Sequence, residues 1–425
     1  MYLAIDLGST FFKAAVFSPD MRCAGRSEHC MKYSSMNAKV EIEPGEVAAA
    51  FDQVIEGSLS AAGVSASKIR AIGLTSQAQT FCVMDKHGGF KTPFISWRDM
   101  RACENGDMLS ADGRLKDFAE HSSFPKLFPN LQISVLHFLR GVVTPDSVVM
   151  PLPSFLTWLL TDEMITDSNI AGMSGLYSIK DMGWWRPGLE LCGLVPSQLP
   201  GAGEAGKASA LVCGHASEKY GFRKNTPVFS CGNDQTAGAY GAGLHLNEND
   251  VLLTLGSAMV LYKCTDSLPR PSVAYARGPY PSGKFYRFAA AEGGTLVNVA
   301  IKKHPEIDSL GTFFSLAEKA SAENMKVIKL IFDENNNEIN WMESGTAAQY
   351  AYSVLAYTAE KTKSLFESLE IDRSSSCKIL CCGGGSKSRL WVELVEKELD
   401  TALEVIDKSP LDGVAYMLED ILKKR

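Results

Sequence analysis

Strand-like apolar runs in this chain repeatedly stop at a glycine-bearing bend and hand over to new structure, and that pattern restricts the fold more than any other feature. Tyr2 to Ile5 breaks at Asp6-Leu7-Gly8-Ser9-Thr10 and resumes as Phe11 to Phe17, which predicts a hairpin with Asp, Gly, Ser and Thr at its bend. Val228 to Cys231 opens into Gly232-Asn233-Asp234, ahead of a small-residue helix from Thr236 to Gly243. Val251 to Leu255 ends in Gly256-Ser257, and Lys378 to Cys382 runs into Gly383-Gly384-Gly385 before helix signals from Ser388 to Leu399. Another glycine cluster stands at Gly293-Gly294-Thr295. Strands that end in glycine and feed helices in both halves argue for two α/β domains rather than a sandwich or a bundle. We expect the cut near Pro227, giving 1–227 and 228–425.

Other segments fill in that plan. A helix is expected from Pro44 to Ala62, with Pro at its first turn and a stripe through Val47, Phe51, Val54, Ile55 and Leu59. Ile69 to Leu74 and Phe81 to Met84 are strand-like, and a long helix fits Thr346 to Leu369. Ser197 to Ala210, rich in Gly, Ala and Pro without periodicity, is expected to be loop or linker. Apolar residues make up 45% and charged residues 21% of the 425, which excludes wholesale disorder. No apolar run approaches the ~18 residues of a membrane span. The opening MYLAIDLGST lacks the basic start of a signal peptide. A formal charge of −7 argues against non-specific nucleic-acid binding. The 11 Cys include no C-x-x-C pair, so zinc and thioredoxin-like spacings are excluded and the thiols read as core residues of a reducing cytoplasm. None of the seven His forms an i, i+4 pair, so they make no metal case.

The bends carry the candidate chemistry. A hairpin turn with Gly8, Ser9 and Thr10 presents N–H groups and hydroxyls suited to phosphate oxygens, and Lys13 adds a point charge. Asp6, at the end of a buried strand, suits a hard cation such as Mg²⁺; the alternative is an ordinary hairpin with a surface Asp. Asp234, just past a strand, can accept a proton from a hydroxyl nucleophile or simply cap a helix. Gly256-Ser257 repeats the first bend, and Gly383-Gly384-Gly385 offers a bare surface ahead of a helix N-terminus; either alone is also a plain turn.

The order of these clusters resembles the FGGY family of carbohydrate kinases, of the actin-like (ribonuclease H-like) ATPase fold, along essentially the whole chain. AIDLGSTFFKAAVF resembles the family's opening phosphate loop and GLTSQAQTFCVMD its sugar-contacting strand, followed by ISWRDMRA. TDSNIAGMSGLYSIKDMGWW is similar to its threonine-aspartate stretch, and VFSCGNDQTAGAYGAG to the segment with the catalytic aspartate. VLLTLGSAMVLY resembles the second phosphate loop and ILCCGGGSKSRLW the adenosine loop. The resemblance implies two domains flanking a central cleft, with ATP and Mg²⁺ as cofactors. Asp234 would be the general base, and Asp6, with Asp234, would hold the metal. Gly8, Ser9, Thr10, Lys13, Gly256, Ser257, Gly383, Gly384, Gly385 and Ser386 would hold the nucleotide. Gln77, Gln79, Trp97, Arg98, Asp99, Arg101, Asp234 and Gln235 would face the sugar. The implied partners are a small sugar and ATP, with no nucleic acid and no membrane, and a homodimer stays open.

The implied acceptor is a ketose, a pentulose such as xylulose or ribulose first; glycerol, another polyol, an aldonate or a binding-only relative are the alternatives. Three departures bear on that choice. Ala78-Gln79 stands where the xylulokinase-like branch usually has Met-His, and Arg98 where it usually has Asn. The chain is shorter than many relatives between Lys263 and Glu343. Its last segment lacks the family's run of alanines but keeps Gly413 and Ala415.

Overall fold

The computed structural model describes residues 1–103, 112–333, 338–371 and 377–424. It falls into two compact units: Met1–Leu246 with Cys264–Tyr286 and Lys408–Arg425, and Asn247–Lys263 with Arg287–Asp407.

The first unit is built on a six-stranded sheet in the order Ser209–Leu211, Pro227–Asn233, Ala71–Ser76, Tyr2–Leu7, Phe11–Phe17, Cys23–Cys30. Its middle is parallel, with Tyr2 to Leu7 beside Ala71 to Ser76 and Val228 to Ser230 beside Ile72 to Leu74. A central parallel strand is covered on both faces, which is why all six residues of Tyr2–Leu7 are buried and the run reads as continuous rather than alternating. Helix Pro44–Ala62 packs on the hairpin strands Phe11–Phe17 and Cys23–Cys30. Helix Pro410–Lys423 packs on Tyr2–Leu7 and Ala71–Ser76, and Val414 and Leu418 lie where a side chain on Gly73 would project. A second sheet of five strands, Ser34–Met36, Lys39–Ile42, Phe94–Ile95, Phe81–Asp85 and Ser147–Pro151, has its own core around Phe81, Val83, Ile95, Leu131 and Val149.

Two sequence expectations change here. Ser197 to Ala210 is not a plain linker: Gly201–Gly203 pairs with Ile165–Asp167, and Ser209–Leu211 forms the edge of the main sheet against Pro227–Asn233. Strands of three residues are too short to show a period. A single cut at Pro227 does not reproduce the two units either. Pro227–Asn233 and the helix after it stay with the first unit, because the strand pairs with Ala71–Ser76, and the C-terminal helix returns to it.

In the second unit the strand order is 287–292, 258–263, Val251–Leu255, Ile379–Cys382, Leu403–Val405. Helix Ala347–Ser368 packs against Leu310–Ala322 and Arg389–Leu399. Among the described residues no helix is long and apolar enough to cross a membrane. Six of the 11 Cys are buried, while Cys23, Cys30 and Cys103 are exposed.

Candidate active site

The first hairpin closes as expected, and Asp6 and Lys13 stand opposite each other in its register. Gly8 is required at the bend, because a Cβ there would come within 2.8 Å of the Phe11 carbonyl oxygen. Ser9 is half-buried and Thr10 exposed at the tip. Asp6 itself is only 4% exposed, and its Oδ1 has no hydrogen-bond partner. Burial pushes its carboxyl up to about 7, helped by the charge of Asp234 and opposed by Lys13 and Arg26.

Asp234 opens helix Asp234–Gly241. The capping task falls to Asn233, whose side chain accepts from the Thr236 N–H. The carboxylate of Asp234 is therefore not committed to the cap and accepts the N–H of Gln235 at 2.8 Å. Burial pushes it up to about 6, against the pull of that N–H and of Lys13. The strand carries an irregular register between Ser230 and Asn233, with Gly232 at φ 73°. Such a bulge re-aims the residues beyond it.

Two residues outside the expected set fix this bulge. Asp167, fully buried, accepts the Asn169 and Ile170 N–H groups on one oxygen and Ser230 Oγ (2.6 Å) and the Gly232 N–H (2.9 Å) on the other. Asn169 accepts the Asn233 N–H at 2.9 Å and donates to Thr236 Oγ1 and the Pro279 carbonyl. The motif TDSNIAG was visible in sequence. Its role was not, since its partners lie more than 60 residues away.

The residues expected to face the sugar divide into two groups. Gln77 is buried and engaged at both ends of its amide: Nε2 donates to the Gly8 carbonyl (3.3 Å) and Tyr33 Oη (3.4 Å), while Oε1 accepts from Thr80. Asp99, 0% exposed, accepts the Val40 N–H and a two-pronged bond from Arg101, whose guanidinium also reaches Glu41 at 2.6 Å. That network clamps the loop to strand Lys39–Ile42. Gln79, Trp97 and Arg98 are the accessible ones. Gln79 sits at φ 69°, a conformation ordinary side chains avoid, and Trp97 is 38% exposed. Arg98 does not enter an ion pair among the described residues; its guanidinium lies 4.2 Å over the Tyr33 ring. Tyr33 carried no signal in the sequence. Gln235, next to Asp234, is half-buried.

In the second unit three glycine clusters come together. The Gly256 carbonyl accepts the Gly294 N–H at 2.8 Å, and the Ser257 carbonyl accepts the N–H groups of Gly293 and Thr295. The cluster at 293–295, unassigned in sequence, is therefore the support of the Gly256-Ser257 bend. Gly383, at φ 96°, lies where a Cβ would press within 2.6 Å of the Leu255 carbonyl oxygen. Gly385 makes room for Trp391, while Gly384 faces open space. Ser386 closes the loop by donating its hydroxyl to the Gly383 carbonyl at 2.8 Å.

The donor set fits a hard divalent cation: a buried carboxylate oxygen without a partner beside a second carboxylate whose charge it feels. Among the described residues no group of three or more His, Cys, Asp and Glu could hold a metal by side chains alone.

Residues 1–241 match the FGGY family of carbohydrate kinases, N-terminal domain. The chain belongs to the FGGY family of carbohydrate kinases and is an ATP-dependent phosphotransferase. It is 27% identical over 422 residues to a glycerol kinase of Chloroflexus aurantiacus, covering 90% of this chain and 81% of that one. Its fold matches the ligand-bound xylulose kinase of Lactobacillus acidophilus with TM-score 0.86 at 16% identity, over 100% of this chain and 90% of that one. The glycerol kinase of Plasmodium falciparum, solved with ADP, matches with TM-score 0.84 at 17% identity, over 99% and 90%. The fold is thus the two-domain α/β fold of the actin-like ATPases, as the sequence led us to expect.

Proposed function

We propose that this enzyme transfers the γ-phosphoryl group of ATP to a hydroxyl of a small neutral ketose, a pentulose such as xylulose or ribulose, with Asp234 as general base. One observation carries the reading: two carboxylates in the first unit, Asp6 and Asp234, are pushed up to about 7 and about 6, and neither is consumed by structural hydrogen bonds to the extent Asp99 and Asp167 are. At neutral pH Asp234 is largely ionised yet basic enough to take a proton, the condition a general base needs. The proton passes from the acceptor hydroxyl to the Asp234 carboxylate. The freed oxygen bonds to the γ-phosphorus as the bond to the β,γ-bridging oxygen breaks, and ADP leaves. Such transfer rests on positioning and charge stabilisation more than on covalent chemistry.

Asp6, with Asp234, would hold Mg²⁺, which when bound neutralises charge on the transferring phosphates. Gly8, Ser9, Thr10 and Lys13 would receive phosphate oxygens, as would Gly256 and Ser257, and Gly383, Gly384, Gly385 and Ser386 would line the nucleoside. Gln79, Trp97, Arg98 and Gln235 would contact the acceptor. Gln77, Asp99 and Arg101 would hold that wall in place through their protein partners. Glycerol is the second reading, supported by the 27% identity to a glycerol kinase over most of the chain. We read the setting as cytoplasmic.

The test is ADP release from Mg-ATP against pentuloses, hexuloses, glycerol and aldonates, followed by Asp234→Ala on the best acceptor. Loss of a general base is expected to lower kcat ~10²–10⁴-fold. An Asp234→Ala enzyme with wild-type kcat would overturn the assignment.

A further inference from the structure

In the first unit a cavity of about 400 Å³ opens beside the far end of the helix that Asp234 begins. Its volume lies within the ~300–1,000 Å³ of small-molecule sites. Tyr240 forms part of its wall, ~9 Å of helix rise beyond Asp234. Phe229, Tyr240 and Met417, all buried, make its apolar wall with Pro281 and Ile421. Four charged side chains complete it, Glu204, Lys207, Asp420 and Lys424, and their formal charges cancel.

The walls are held in place. The Tyr240 ring stacks on His245 with centroids 3.9 Å apart. Its hydroxyl donates to Asp420 Oδ2 at 2.5 Å and accepts from the Ser282 hydroxyl. Ser282 and Gly283 turn the chain at φ 67° and 73°. A Cβ on Gly206 would come within 3.1 Å of the Pro281 ring, so the loop and the turn pack directly. The loop closes on itself through the Lys207 and Ala208 N–H groups, which donate to the Glu204 carbonyl.

The four charges divide into a closed pair and an open one. Lys207 meets Glu204 at 2.7 Å. Asp420 and Lys424 stand one helical turn apart, the spacing at which the neighbouring Glu419 and Lys423 close an ion pair at 2.8 Å. Asp420 and Lys424 do not close, because Asp420 is turned to Tyr240. Among the described residues, Asp420 Oδ1 and the Lys424 ammonium have no hydrogen bond or ion pair. An acid and a base left open beside an apolar wall restrict what can bind. A lipophile would leave both charges unmet, and a sugar would leave the apolar wall uncovered. A simple amine would leave Lys424 unmet, and an anion would face Glu204 and Asp420. A zwitterion with an apolar tail answers the acid, the base and the wall together.

We propose that this cavity binds a free α-amino acid with an apolar side chain, its ammonium at Asp420, its carboxylate at Lys424 and its side chain against Phe229 and Met417. Nothing in phosphoryl transfer calls for such a ligand, and its contact with Tyr240 falls on the helix of the proposed base.

The probe is L-phenylalanine, titrated calorimetrically into the metal-free full chain. Two analogues test the charges on the unaltered protein: phenethylamine lacks the carboxylate and 3-phenylpropanoate lacks the ammonium. Asp420→Asn tests the site, since an amide oxygen still accepts the Tyr240 hydroxyl while the charge is gone. The expected result is saturable binding of L-phenylalanine, with each analogue at least tenfold weaker. Asp420→Asn should bind L-phenylalanine at least tenfold more weakly at unchanged Tm. No binding by the wild type would overturn the proposal. So would equal binding by wild type and Asp420→Asn, or an analogue that binds as tightly as the amino acid. The titration reads heat rather than turnover, so its outcome is independent of the acceptor the kinase uses and of the role of Asp234.

Discussion

Gly413 and Gly238 lie on two helices packed against each other, and the same substitution at each should act in opposite directions. Gly413 is the fourth residue of helix Pro410–Lys423, and that helix crosses Asp234–Gly241 at closest range. A Cβ on Gly413 would overlap the Ala237 carbonyl oxygen, well inside van der Waals contact, and approach the Gly241 nitrogen to 3.0 Å. Backbone on both sides means that no rotamer relieves the overlap, and one helix must move by an ångström or more. Overpacking of this kind costs about 1–3 kcal/mol, and more where backbone must shift. The helix-propensity gain of Ala over Gly returns only ~1 kcal/mol. Gly413→Ala should therefore lower stability by about 2 kcal/mol and Tm by several degrees. Asp234 sits three residues before Ala237, ~4.5 Å along the axis at 1.5 Å per residue, so the displacement reaches the proposed base. Misplacement by 1 Å can cost ~10² in rate. A Cβ on Gly238, by contrast, meets nothing within 4 Å. Gly238→Ala should gain about 0.5–1 kcal/mol through reduced chain entropy and better propensity. Thermal melts of both variants, with kcat for Gly413→Ala, decide the matter. A Gly413→Ala protein with wild-type Tm and kcat would refute the close-packing argument.

With Asp234 pushed up to about 6 and required as the anion, kcat/KM should fall tenfold per pH unit below about 6 and level off above it; a limb near pH 4 would contradict the burial argument. Asp6, pushed up from 3.8 to about 7, is favoured in its protonated form by the fold. Its contribution to stability is complete below pH 4 and is lost as pH rises through about 7, so Asp6→Asn should flatten that part of the Tm-against-pH curve of the metal-free protein. An unchanged curve would show that Asp6 is not the responsible group. Asp167→Ala strips a buried acceptor from four donors, Asn169 N, Ile170 N, Ser230 Oγ and Gly232 N, and should cost about 3 kcal/mol. Because it acts through the bulge before Asp234, kcat should drop while KM for ATP holds; a change in KM alone would speak against a positioning role.

Local signals were legible where the chemistry is local. The hairpin Tyr2–Leu7 and Phe11–Phe17, helix Pro44–Ala62 and strand Val251–Leu255 follow from period, turn residues and Pro at a helix start. What sequence did not show are partnerships across long separations. Asp99 looks like a sugar ligand beside Trp97, but the Val40 N–H, 59 positions away, occupies it. Gln77 looks equally free until Tyr33, 44 positions away, appears at its amide. The short strands at 201–203 and 209–211 take their pairing from distant neighbours and have no pattern of their own. Asp234 could have been either a base or a cap, and only the Asn233 side chain on the Thr236 N–H removes the second reading.

Burial alone does not divide the buried carboxylates of this chain into kinds, but hydrogen-bond satisfaction does. Asp99, Asp167 and Asp6 are all nearly or fully buried. Asp99 and Asp167 have donors on both oxygens, and the donors are backbone N–H groups, a hydroxyl and an arginine that themselves need acceptors. Those carboxylates hold loops together and have nothing left to offer a ligand. Asp6 has the same burial and an oxygen with no partner, in the register opposite Lys13 and within the field of Asp234. A lone buried carboxylate oxygen costs on the order of 1–3 kcal/mol or more when nothing satisfies it. A fold that supplies four donors to Asp167 and leaves Asp6 short has not run out of donors. We propose that this oxygen is kept for something that arrives from outside, and a cation that brings phosphate with it would meet the need at both carboxylates at once.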